Sequence, residues 1–159
     1  QADFEVHAAS RNCPSAKYIY AHNCDMGYES LESLFKKIRP DFVINSIGLT
    51  KHLASETSDS YLFPNILVPL LLKRLKSRHL FSLIQVSSDC VFSGGDAPYP
   101  DDAQPDALDN YGASKAIAET ILEVDSMILR TSTSLLTCFV ICSTILSSPS
   151  VVIVMRDRE

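Results

Sequence analysis

The 159 residues fall within the size of one ordinary domain, long enough to bury a single core. Apolar residues make up 46% and charged residues 21%, which excludes a disordered, collagenous or coiled-coil chain. The net charge is −5, from 14 basic and 19 acidic residues with no Lys/Arg stripe. That balance argues against nucleic acid as a partner, since a phosphate backbone needs concentrated positive charge.

The predicted elements alternate. Phe4–Ala9 reads as a short strand, followed by turn-forming residues from Ser10 to Ser15, and Tyr18–Ala21 is a weaker extended stretch. Glu29–Ile38 has Leu31, Leu34, Phe35 and Ile38 at the three-and-four spacing of an amphipathic helix, which Arg39-Pro40 ends. Phe42–Asn45 is a buried strand that runs into the polar loop Ser46–Lys51. Leu62–Leu75 is apolar on most faces and predicts a helix that begins at or after Pro64. His79–Ser87 is a near-continuous apolar strand of the kind a covered parallel sheet uses.

Ser88–Asn110 is a long loop rich in Gly, Pro and Asp, and loops of this length in a compact domain are usually functional. Tyr111–Val124 is the third helix and Met127–Arg130 the last strand. Strand-helix alternation predicts a parallel sheet with helices on both faces and a site at the carboxyl ends of the strands. Ser10-Arg11, Asn45–Gly48 and Ser87-Ser88 sit at such ends.

From Thr133 the character changes, with no helical period and no charge before Arg156. The longest apolar stretch, Leu135–Leu146, is about twelve residues, short of the ~20 a spanning helix needs, which argues against a membrane and for a strand plus an ill-matched tail. Cys13, Cys24, Cys90, Cys138 and Cys142 lack metal-ligand spacing and read as reduced thiols of a cytoplasmic protein.

Tyr111-Gly-Ala-Ser-Lys115 opens the third helix, and four-residue spacing puts Tyr111 and Lys115 on one face. A phenol titrates near pH 10 and works at neutral pH only beside a cation. Alone the pattern also fits a solvated helix face. Ser88, in Val86-Ser-Ser-Asp-Cys-Val-Phe92, ends the preceding strand. It reads either as a turn residue bonding its own backbone or as a hydroxyl that orients a carbonyl. Together the three suit hydride transfer to a carbonyl: Ser88 orients the oxygen, Tyr111 protonates it and Lys115 lowers the tyrosine pKa.

The stretches RPDFVINSIGLT, VSSDCVFSGG, NYGASKAIAE and ILRTS, in that order, resemble the extended short-chain dehydrogenase/reductases. Within them the chain is similar to the dTDP-4-dehydrorhamnose reductase-like nucleotide-sugar reductases over residues 3–132. The resemblance implies an α/β, partial Rossmann-like doubly wound parallel sheet over residues 1–132 and a divergent apolar tail over 133–159. It implies Ser88, Tyr111 and Lys115 as catalytic residues, with Tyr111 and Lys115 also touching cofactor. Arg11, at a strand end without Asp or Glu, favours the 2′-phosphate of NADP(H) over NAD(H); it also fits a surface arginine. Asp25 and Met26 match the adenine-binding position, although Asp25 equally suits a turn or cap. Ser46, Ile47 and Gly48 would line the diphosphate and nicotinamide ribose, and Asn65 matches a helix asparagine that supports the active site.

The family's Gly-x-x-Gly-x-x-Gly has no counterpart among Gly27, Gly48, Gly94, Gly95 and Gly112. Phe4–Ala9 therefore corresponds to the family's second strand. In the order 3-2-1-4-5-6, loss of the first strand predicts two neighbours with unpaired edges. The expectation is a reductase fragment without measurable NADPH affinity by itself. The leading reading is an NADP(H)-dependent reductase of a nucleotide-activated 4-keto-6-deoxysugar. The alternatives are a non-catalytic regulatory subunit resembling that of methionine adenosyltransferase, and a nucleotide-sugar epimerase or dehydratase.

Overall fold

Strands β1 (Phe4–Ser10) and β2 (Tyr20–Asn23) open the chain as a parallel pair, with His7 opposite Tyr20 and Ser10 opposite Asn23. The computed structural model describes residues 4–13, 17, 19–50, 58–95, 97–131 and 152–157. Helix α1 (Tyr28–Ile38) buries Leu31, Leu34, Phe35 and Ile38, the stripe its spacing predicts. It stops where Arg39 turns left-handed, at φ 54°, and donates its N–H to the Phe35 carbonyl. Strand β3 (Phe42–Asn45) follows, within its predicted bounds.

The second α-helix begins after Pro64, as expected, but helical backbone that the sequence did not signal precedes it. A 3₁₀ turn forms at Ser58–Tyr61. It widens to a π-helix over Leu62–Leu67 and becomes regular α2 over Val68–His79. Pro64 lies inside the π segment, where the chain is already off the α pattern that a proline would break. Leu80 caps α2 in the left-handed region, so strand β4 begins at Ser82 and not at His79, and ends at Ser88. A 3₁₀ turn at Asp89–Val91 follows, then α3 (Asn110–Leu122) and strand β5 (Met127–Thr131).

The sheet order is β2-β1-β6-β3-β4-β5. This corrects the expectation of two open edges. Strand β6 (Val152–Asp157), from the predicted tail, lies between β1 and β3 and pairs with both. It runs antiparallel, with Val152 beside Ala9 and Asn45 at one rim and Asp157 beside Phe4 at the other. The physical reason is local. A one-strand gap exposes two rows of unpaired N–H and C=O groups, and either strand direction satisfies them. The segment VIVMRD, rich in β-branched residues, supplies that strand. With β6 in the first-strand position, the order is that of a Rossmann-like sheet. The other expectations for residues 132–151 lie outside the described residues.

A single core cluster joins all three α-helices to one face of the sheet. Leu31, Phe35, Leu72, Leu75 and Leu122 pack on Ala9, Val43 and Leu83, with Ile128 alongside. Burying each of the large side chains contributes roughly 1.5–3 kcal/mol. Of the helices expected on both faces, the three among the described residues share this one. No helix among the described residues is long and apolar enough to cross a membrane.

Candidate active site

Four parallel strands, β1, β3, β4 and β5, end at one rim in Ser10, Asn45, Ser88 and Thr131. Helix α3 is fixed to that rim by its first turn. Asp109 caps it, its carboxylate accepting the Gly112 N–H at 3.0 Å. A Cβ on Gly112 would stand 2.1 Å from the Cys90 carbonyl oxygen and 2.7 Å from the Ala107 Cβ. The helix start therefore presses directly on the turn that follows Ser88, and only glycine permits the approach. Gly112→Ala is expected to lower stability by about 1–3 kcal/mol through overpacking against backbone, read as a shifted denaturant midpoint with unchanged slope.

Tyr111 and Lys115 are buried on the same stripe of α3, 9% and 5% exposed. The Lys115 Nζ donates to the Val86 carbonyl of β4 at 2.8 Å. A Cβ on Gly48 would lie 3.7 Å from that Nζ and 3.4 Å from the Asn65 Oδ1, so the loop after β3 passes over the ammonium. Burial pulls the Lys115 pKa down from 10.5 to about 8, against the opposing attraction of Glu119. The Tyr111 ring packs at 6.0 Å from that of Tyr61 in the 3₁₀ turn before the π-helix.

Two amide networks brace this arrangement. Asn65, wholly buried in the π segment, clamps Leu49 by accepting its N–H at 2.8 Å and donating to its carbonyl at 3.2 Å. It also donates to the Ser114 Oγ at 2.8 Å, and Ser114 donates to the Tyr111 carbonyl. Beneath, the Asn45 amide donates to Gln85 at 2.7 Å, and Gln85 donates to the same Val86 carbonyl that holds Lys115. Sequence reading singled out Asn65 but missed Gln85 and Ser114. No spacing signal marks Gln85, whose partner is 40 positions away.

Ser88 is buried at the end of β4, and its hydroxyl makes the local turn that the sequence also allowed. It accepts the Cys90 N–H at 3.2 Å and donates to the Asp89 carboxylate at 3.2 Å. Ser46 and Gly48 are half-buried after β3. Ile47 sends its side chain into the core, so only its backbone faces the rim, with its N–H on the Asn45 Oδ1. Arg11 is exposed in the turn after β1. Asp25 works as a turn residue at the start of α1. Its carboxylate accepts the Gly27 N–H at 2.8 Å, and that bond, with one from Ser30, holds its pKa below the usual range. Met26 is buried in the core with φ 63°.

The buried Ser10 and Ser87 hydroxyls, both in the last residues of parallel strands, have no hydrogen-bond partner in the structure. Ser87, next to the Val86 carbonyl that holds Lys115, and the close approach at Gly48 suit the nicotinamide and its ribose, whereas Ser10 lies beside Arg11 on β1, separated from β4 by two strands. The diphosphate end lacks the glycine-rich turn, since the chain's five glycines do not form it.

The family profile described as the RmlD substrate binding domain matches residues 1–136. No curated protein matches the chain. Among solved structures it is similar to a hypothetical dTDP-4-dehydrorhamnose reductase from Sulfolobus tokodaii, at 27% identity and a TM-score of 0.66, covering 76% of this chain and 45% of that one. A dTDP-4-dehydrorhamnose reductase from Bacillus anthracis in complex with NADP matches at 25% identity and a TM-score of 0.65, over 72% and 44% of the two chains. The Bordetella bronchiseptica enzyme WbmG in complex with NAD, at 16% identity and a TM-score of 0.64 over 74% and 38%, shares the fold. The chain thus spans less than half the length of these structures.

Proposed function

The chain belongs to the RmlD substrate binding domain family, and on that premise we propose that it carries the proton-transfer segment of a reductase. The substrate is a nucleotide-activated 4-keto-6-deoxysugar, and the cofactor is NADP(H) in preference to NAD(H). The observation that carries the reading is the buried Lys115 ammonium, held on the Val86 carbonyl one helical turn from Tyr111. Desolvating a lysine this far costs stability, and an ordinary surface pair has no reason to bear that cost.

A nicotinamide cofactor, when bound, supplies the hydride. Tyr111 then gives its phenolic proton to the sugar carbonyl oxygen, and the Lys115 charge one turn away stabilises the phenolate left behind. Ser88 donates a hydrogen bond to the same oxygen, exchanging its Asp89 contact for the substrate. Arg11 pairs with the 2′-phosphate, and Ser46, Ile47 and Gly48 offer backbone and hydroxyl groups to the ribose side. Asp25 and Met26 border the adenine.

The test is reduction of a dTDP-4-keto-6-deoxyhexose, followed by loss of NADPH absorbance. It is run with the 159-residue chain and with the complete translation product of its gene. The complete product is expected to turn over, and Tyr111→Phe to lower kcat at least ~10²-fold with little change in KM. The 159-residue chain is expected to show no measurable NADPH affinity, because the glycine-rich diphosphate turn is not among its residues. A complete product that binds NADPH yet reduces no keto-sugar would replace the enzyme reading with that of a non-catalytic regulatory subunit.

A further inference from the structure

Helix α3 continues the Tyr111–Lys115 stripe by one more turn, to Glu119. This residue is buried, with its side chain 7% exposed. A buried carboxylate is costly unless paired, and here the pairing is complete. Arg130 of β5 reaches both oxygens, with Nη2 to Oε2 at 2.8 Å and Nε at 3.1 and 3.3 Å. The same guanidinium donates to the Asp101 carbonyl at 3.1 Å and lies 5.0 Å from the centre of the Phe92 ring, which stacks on Tyr99 at 4.1 Å. Asp101, Phe92 and Tyr99 all belong to the long loop that follows Ser88. One side chain thus joins the helix of Tyr111 and Lys115, the strand β5 and the loop leaving the third proposed catalytic residue.

We propose that Glu119 and Arg130 act as a positioning pair for the Lys115 ammonium: Glu119 holds the charge on the stripe, and Arg130 limits that attraction while anchoring the loop after Ser88. This deepens the reductase reading and rests on it. Lys115 is faced by Glu119 and Tyr111 on its own helix, with Tyr61 beyond the Tyr111 ring. From β4 it meets the neutral Val86 carbonyl, and from the loop after β3 the backbone of Gly48. Arg130 bears on it from β5 through Glu119, and the exposed Asp89 beyond β4 is bonded to Ser88.

The consequence is a pair of opposite shifts. Removing the Glu119 charge leaves the ammonium without its counter-charge and lowers its titration midpoint. Removing the Arg130 charge leaves Glu119 uncompensated and raises the midpoint. Loss of packing alone would destabilise both variants without opposing the two titrations.

The experiment follows the Lys115 side-chain carbon resonance against pH in lysine-labelled 159-residue protein, assigned by its absence in Lys115→Met. Glu119→Gln is expected to lower the midpoint and Arg130→Gln to raise it, each by about one pH unit. Glu119→Asp and Arg130→Lys, which keep the charges if either glutamine variant fails to fold, are expected to return the midpoint toward wild type. Midpoints that stay put, or move together, in folded variants would overturn the proposal. The readout needs no turnover, so its failure is distinct from a failure of the reductase reading, which the keto-sugar assay alone decides.

Discussion

Ile153→Pro is expected to abolish cooperative folding or to lower stability by about 3 kcal/mol or more, read as loss of the denaturant transition. Ile153 pairs with Ala8 on one side and Ile44 on the other, so its backbone groups lie within ladders on both flanks of β6. A proline removes a donor from a strand that has no solvent edge to absorb the loss. The wider consequence is topological. Strand β6 is the only strand joining β2-β1 to β3-β4-β5 in the described sheet. Neighbouring strands lie about 4.8 Å apart, so without β6 the edges of β1 and β3 stand roughly 10 Å apart, too far to pair with each other. Two exposed parallel edges are a template for association. Aggregation on light scattering is therefore expected to accompany the loss of the transition. Arg156→Ala, at an exposed side chain of the same strand, should leave the midpoint within about 0.5 kcal/mol of wild type. A folded, monomeric Ile153→Pro protein with an unchanged midpoint would show that β6 is dispensable to the sheet.

What the sequence made legible and what it hid divide along range of interaction. The stripe Leu31, Leu34, Phe35 and Ile38 and the pair Tyr111 and Lys115 are patterns within one helix, and both stand where their spacing puts them. A strand in the tail was legible, but the place of β6 was hidden, because neither its order nor its direction is a local property. Its apolar run is compatible with any vacant ladder, and which ladder is vacant depends on β1 and β3, more than a hundred positions earlier. Glu119 and Arg130 are visible only as one helix glutamate and one arginine in ILRTS until α3 lies against β5. Pro64 marks a boundary for the α-helix, which starts at Val68, but the 3₁₀ and π backbone before it has no period that sequence reading searches for. The π segment has a visible consequence at the rim, since it carries Asn65, which clamps Leu49 and Ser114.

Lys115→Met is expected to make the fold more stable near neutral pH, by about 1–3 kcal/mol, while removing the charge that the proposed chemistry needs. The sign follows from the titration. The folded midpoint of about 8 lies below the unfolded value of 10.5. Between the two the unfolded chain holds more protons, so stability rises with pH across that window. Below it the lysine is charged in both states, and the fold carries the whole penalty of burial, about 3 kcal/mol at most. Methionine has a similar length and no charge. It would strand no partner, because Val86 keeps the Gln85 hydrogen bond at 2.9 Å and Glu119 keeps Arg130. Against the gain stands the lost Lys115–Val86 hydrogen bond, about 1 kcal/mol. The difference between variant and wild type should therefore shrink as pH rises through the window, and at about pH 10 it should be nearly gone. Denaturant midpoints of both proteins at the two pH values measure it. A variant less stable than wild type near neutrality, or a difference that does not change with pH, would mean that the ammonium is well solvated and that its burial is not what sets its titration.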